Sequence, residues 1–136
     1  MIFMSESIEF PRKPLGSYIR ELRIAKGLSI RMFAQRLQQI SGANISPAFM
    51  SDLENGRRFP SDKMFTCIAN ALEVEEEDLR NCDPRIPTQE LNDLASMNSQ
   101  YGFAFRKAVN IILEQDISPQ DLLNRILNKN NRNYVE

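Results

Sequence analysis

The stretch Ile45 to Pro60, I-S-P-A-F-M-S-D-L-E-N-G-R-R-F-P, decides how the rest of the chain is read. Ser46 before Pro47 pairs a hydroxyl able to cap free amides with a ring already set for a first helical turn, so a helix begins there. Met50 and Leu53, with Phe49 beside them, recur at helical spacing and give one apolar side, while Ala48, Ser51, Asp52 and Asn55 face elsewhere. Gly56 supplies the left-handed cap that ends the helix, and Arg57 and Arg58 follow where cations suit the negative end of its dipole. So short a helix does not hold alone. It needs a scaffold, and its small polar outer face suits a probe pushed into a groove. A capped amphipathic helix in any all-helical domain shares these features, so the flanking sequence has to decide.

Upstream, Tyr18, Ile19, Leu22 and Ala25 mark a first helix from about Leu15 to Lys26, stopped by Gly27. Ser29 caps a second helix, I-R-M-F-A-Q-R-L-Q-Q-I, whose stripe is Phe33, Ala34, Leu37 and Ile40. Ala34 is small enough to let two steeply crossing helices approach. Downstream, Ser61 caps a fourth helix with Met64, Cys67, Ile68, Ala71 and Leu72 on one side, closed by Val74. The run E-E-E-D-L then places acids at the positive start of a short fifth helix, with Leu79 turned inward.

A chain of 136 residues suits one small domain with an appendage. It has no histidine, which excludes His-based triads, His metal sites and histidine pH switching. Two cysteines, Cys67 and Cys82, form no C-x-x-C and fit reduced intracellular thiols. No apolar run nears the roughly 18 residues that span a bilayer, and M-I-F-M-S-E-S has neither the charge nor the apolar core of a signal peptide. A cytoplasmic location, with no membrane partner, is the expectation.

The net charge of −1 looks wrong for a partner of nucleic acid. Its distribution reverses that impression. Residues 12–63 hold ten cations against four anions, a balance of plus six, whereas residues 73–136 hold seven cations against twelve anions, a balance of minus five. A basic contact domain joined to an acidic part with another task is the economical reading.

The ordered pieces I-R-E-L-R-I-A-K-G-L-S, F-A-Q-R-L, I-S-P-A-F-M-S-D-L-E-N-G-R-R-F-P-S and I-A-N-A-L-E-V, from Leu15 to Leu79, resemble the lambda-repressor-like, or Xre, family of helix-turn-helix regulators. The resemblance implies five short helices, the third entering the major groove while the second crosses the backbone. It places Pro47, Ala48, Ser51 and Asp52 at base edges, and Ser29, Asn55, Arg57 and Arg58 at phosphates. It also pairs Arg23 with Glu54 as a structural salt bridge. The residues at base edges are not the Arg, Asn or Gln of bidentate contacts, so readout falls to apolar contact from Pro47 or Ala48 with thymine methyls, and to Ser51. One departure from the family is the extra length of Q-Q-I-S-G-A-N-I between Leu37 and Ser46, which lengthens helix two and brings Gln38 and Asn44 forward as candidate contacts.

Residues 1–11 read as an arm, 12–81 as the helix-turn-helix domain, 82–87 as a proline-broken linker and 88–136 as a small helical region. In that region Thr88 caps a helix bearing Leu91, Leu94 and Ala95. A longer helix, roughly Gln100 to Glu114, carries Phe105, Val109 and Ile112, and a last one, capped by Ser118, carries Leu122, Leu123, Ile126 and Leu127. These helices are too few to bury their own faces and should pack on the first domain or on a second chain; a two-fold homodimer through Phe105, Val109, Ile112, Leu123 and Ile126 is the economical expectation. The expected fold is all-α, five helices followed by the C-terminal helical region. The expected function is a sequence-specific transcriptional regulator, a homodimeric repressor on a palindromic double-stranded operator. An antitoxin-like module whose acidic C-terminal region neutralises a partner protein, and a repressor inactivated by a partner protease, are the alternatives. No catalytic base, nucleophile or phosphate-cradling loop supports an enzyme, and neither cofactor nor metal is implied.

Overall fold

The computed structural model describes residues 10–132 except Arg12, with side chains through Asn128. Residues 1–9 of the expected arm lie outside the described residues. Among the described residues the chain is all-helical: α1 (Leu15–Ala25), α2 (Ile30–Ser41), α3 (Pro47–Glu54), α4 (Asp62–Leu72), α5 (Glu76–Arg80), α6 (Thr88–Met97), α7 (Ser99–Glu114) and α8 (Pro119–Arg132). None of these helices is long and apolar enough to cross a membrane. The chain divides into two compact units, Met1–Arg85 and Ile86–Glu136.

Serine hydroxyls set three starts in the first unit. Ser29, Ser46 and Ser61 accept from the backbone N–H of Met32, Phe49 and Met64 at 3.1, 3.1 and 3.2 Å, which satisfies one free amide at each helix. The core they organise contains Ile19, Phe33, Leu37, Met50, Phe65, Ile68, Leu72 and Leu79, all fully buried, so every helix of the unit contributes. Each such side chain contributes roughly 1.5–3 kcal/mol relative to exposure. Phe65 lies outside the stripe expected for α4, which is buried over a wider arc than one face. Conversely Ile40, expected in the stripe of α2, is 39 % exposed, because it lies in the last turn of α2, past the buried Phe33, Ala34 and Leu37.

Ala34 is buried, and Gly16 marks a close helix approach that the sequence pattern does not single out. A Cβ added to Gly16 would stand 2.3 Å from the carbonyl oxygen of Glu54 and 2.6 Å from that of Leu53, so α1 rests directly on the backbone of α3. Arg80 ties α5 to α4, its Nη1 donating to Asp62 at 3.0 Å and its Nε to Glu76 at 3.1 Å, with the guanidinium 4.7 Å from the Phe65 ring centroid. Hydrogen bonds from Thr66 and Arg80 hold the Glu76 carboxyl below its ordinary range.

The boundary between the units falls after Arg85, inside the segment 82–87 expected to be linker. Arg85 donates to the carbonyl of Pro60 at 2.9 Å, lies 5.1 Å from the Phe59 ring centroid and pairs with Asp83 at 2.8 Å. The contacts to Pro60 and Phe59 make the front of the linker part of the first unit. The hydrogen bond from Arg85 is the main reason the Asp83 carboxyl sits below its ordinary range.

In the second unit α6 packs on α7, and Arg125 of α8 reaches Gln115 at 3.3 Å. Thr88 does not cap α6: Pro87 occupies the N-cap position, and Thr88 is the first helical residue. Asn98 caps α7 through the Gln100 N–H at 2.9 Å, and Ser118 accepts from Asp121 N–H at 3.1 Å. No residue of α6 or α7 is buried.

Candidate nucleic-acid interface

Local chemistry fixes how α3 is presented. Met50 and Leu53 are buried, which leaves Ser46, Pro47 and Ala48 exposed on the first turn, with Ser51 and Asp52 half-buried behind them. Cationic and amide side chains gather at the other end of the helix. Asn55 is the C-cap residue and donates from Nδ2 to the Ser51 hydroxyl at 3.4 Å.

Asp52 is engaged on both sides. Its backbone carbonyl accepts from the N–H of Arg57 and Arg58 at 2.9 and 3.3 Å, while its carboxylate stands 3.6 Å from Arg57 Nη1 and 3.4 Å from Arg58 Nε. The turn after α3 therefore folds both arginines back beside the helix. Arg58 also lies 5.6 Å from the centroid of Phe49, an aromatic seat that the sequence pattern, reading Phe49 only as part of the buried side, does not single out. The side chains of Arg57 and Arg58 remain 73 % and 60 % exposed, so both stay available to an anion.

Ser29 stands exposed at the start of α2. Its oxygen accepts from Met32 N–H, which leaves its hydroxyl proton and the other first-turn amides of α2 without an intrahelical partner. The surface thus holds a small, largely apolar helix start with a serine hydroxyl on one side and two exposed guanidinium groups on the other.

A helix-turn-helix domain model matches residues 14–81. The chain belongs to the helix-turn-helix family. Comparison with curated proteins and with solved structures found no significant match.

Within this helix-turn-helix domain, Arg23 of α1 and Glu54 of α3 are both buried and face each other through two hydrogen bonds, Nε to Oε2 at 2.7 Å and Nη2 to Oε1 at 3.0 Å. Arg23 Nη1 also donates to the carbonyl of Leu28 at 2.8 Å, and Arg20 Nε stands 3.7 Å from Glu54. One guanidinium thereby joins the first helix, the turn before α2 and the end of α3. The fork geometry is what makes this burial tolerable, since each charge is paired and hydrogen-bonded. The contribution of Arg20 has no signature in the sequence beyond its position three residues before Arg23.

Of the segment between Leu37 and Ser46, residues 38–41 complete α2 and the rest forms the loop to α3. Gly42 caps α2 with φ +72°, a left-handed conformation that favours glycine, and donates to the Gln38 carbonyl at 2.8 Å. Ala43 N–H donates to the Ser41 hydroxyl at 3.1 Å, and Ile45 is buried at 3 % exposure. Asn44 stands exposed between these anchors. Together with Ser46, Ala48, Phe49, Asp52 and Arg58 it lines a cleft of about 340 Å³ beside the outer face of α3. Gln38 is exposed on α2 and does not line that cleft.

Of the residues expected to mediate a dimer, Phe105, Ile112 and Leu123 are half-buried, and Val109 and Ile126 are 53 % and 57 % exposed. A cleft of about 520 Å³ runs along α7 past Phe103, Phe105 and Val109.

Proposed function

We propose that this chain is a lambda-repressor-like, Xre-type transcriptional regulator, a sequence-specific homodimeric repressor working in the cytoplasm. The observation that carries the reading is the presentation of α3. Its exposed first turn is small and apolar, while Ser29 at one flank and Arg57 and Arg58 at the other offer anion contacts. In this role α3 enters the major groove, Pro47, Ala48 and Ser51 meet base edges, and Ser29, Asn55, Arg57 and Arg58 set the register on phosphates. Asp52 acts through the arginines it holds.

Dimerisation rests on the second unit. Phe103, Val109, Leu113 and Ile126 are each more than half exposed, apolar surface that a second copy would cover. A second copy is the economical cover, because two-fold symmetry spaces two α3 helices for half-sites about 34 Å apart on a palindrome.

Selection of bound duplexes from random DNA, combined with sedimentation of free chain and complex, tests the whole reading. The expected result is an enriched sequence with two-fold symmetry, bound by two chains. Absence of any enriched sequence sinks the regulator reading. An enriched, asymmetric site bound by one chain sinks the dimer and leaves the regulator standing.

A further inference from the structure

We propose that Asn44 reads a base in this interface and selects adenine. The assignment rests on the reading of α3 as the groove-entering helix and names a specificity determinant outside that helix.

Its first support is a deficit on α3 itself. Pro47 and Ala48 offer only apolar surface, the Ser51 hydroxyl accepts from Asn55, and the Asp52 carboxylate is faced by two arginines. None of these groups presents a donor and an acceptor side by side, which is the pattern that separates one base pair from another in the major groove. The helix alone therefore discriminates weakly.

Asn44 supplies what is missing, and the loop delivers it to the right place. On one side Gly42 and Ala43 are tied to Gln38 and Ser41; on the other Ile45 is buried in the core and Ser46 caps α3. A residue whose neighbours are pinned in both directions has little backbone freedom, so its side chain is held ready beside the helix. It borders the same cleft as Ala48 and Asp52, on the exposed side of the domain. A carboxamide matches adenine, accepting from N6 and donating to N7, while the neighbouring Ala48 methyl suits contact with a thymine methyl. The loop before α3 thus extends the reading surface by one amide.

The test uses the full chain. Duplexes are selected from random DNA by the wild type, by Asn44→Ala and by Asn44→Asp, and the best wild-type duplex is then titrated with each base pair exchanged in turn. Asn44→Ala is expected to lose discrimination by about 5- to 150-fold at one A·T pair, with other positions and the salt slope unchanged. Asn44→Asp is expected to move preference at that position from adenine toward cytosine, whose N4 donates to a carboxylate. Thermal unfolding of both variants should match the wild type, because Asn44 is exposed. An Asn44→Ala profile superimposable on the wild type overturns the assignment. So does uniform weakening across all duplexes with a shallower salt slope, which marks a phosphate contact. A wild type that enriches no sequence overturns the reading of α3 first and this assignment with it.

Discussion

Arg23 and Glu54 meet in the interior through a two-pronged ion pair, 2.7 and 3.0 Å, at the place where α1 receives the end of α3. Removing one partner leaves the other charged and buried, whereas removing both with apolar replacements of similar size does not. Glu54→Ala should therefore lose about 3–5 kcal/mol of stability in urea unfolding, and Arg23→Met with Glu54→Leu much less. A Glu54→Ala chain as stable as wild type would show that the pair is not closed in solution.

Gly16 gives a second test of the same joint. Because backbone carbonyls rather than flexible side chains stand in the way, Gly16→Ala should cost about 3 kcal/mol, the upper end for overpacking. A thermal midpoint within a degree or two of wild type would place α1 farther from α3 than described.

Arg57→Ala with Arg58→Ala should weaken binding to all duplexes alike. The slope of log affinity against log salt should fall by about 1.8, near 0.9 for each phosphate left without its arginine. Substitution of Ala48 or Ser51 should instead change which sequence is preferred. An unchanged salt slope in the double arginine variant would remove both residues from the phosphate contacts.

Acid titration probes the clamp at the front of the linker. Asp83 is held below its ordinary carboxylate range, chiefly by the hydrogen bond from Arg85. Such a group stabilises the native state above the unfolded value, about 3.9, and the benefit is lost as pH falls through the lower native value. Asp83→Asn should melt below wild type at neutral pH, and the gap should close as pH drops under about 4. A gap independent of pH would assign the difference to packing.

Val109→Asp with Ile126→Asp should abolish the proposed dimer in sedimentation at micromolar concentration while leaving the first unit's unfolding intact. Both positions are exposed in a single chain, so the change harms a copy–copy interface more than the fold. A dimer that survives both substitutions uses a different surface.

The helices are legible in the sequence because their ends are written in local chemistry. Serine before a helix start and glycine after a helix end act within three or four residues, and Ser29, Ser46 and Ser61 perform as such signals suggest. What escapes depends on which elements meet. Phe65 fits the helical spacing of Ile68 and Leu72, yet a single-stripe reading of α4 passes over it, because the sequence does not say that α4 is enclosed on more than one side. Gly16, where α1 meets the carbonyls of Leu53 and Glu54 and tolerates no side chain, has no signature of its own in the sequence. Thr88 has the right type for a cap, but Pro87 occupies that position. In the interface, residue types announce which groups suit phosphates, while the return of Arg57 and Arg58 onto Asp52 follows from the geometry of the turn after α3.

The absence of a side chain at Gly16 has a consequence for how such a regulator acquires new targets. With α1 seated on the Leu53 and Glu54 carbonyls, the joint has no room for a side chain, so under the proposed reading new preferences arise in solvent-facing residues of α3 or in the span between Gly42 and Ile45. Under that reading, diverging copies of this chain exchange those few exposed letters, and change the length of that span, without disturbing the joint between α1 and α3.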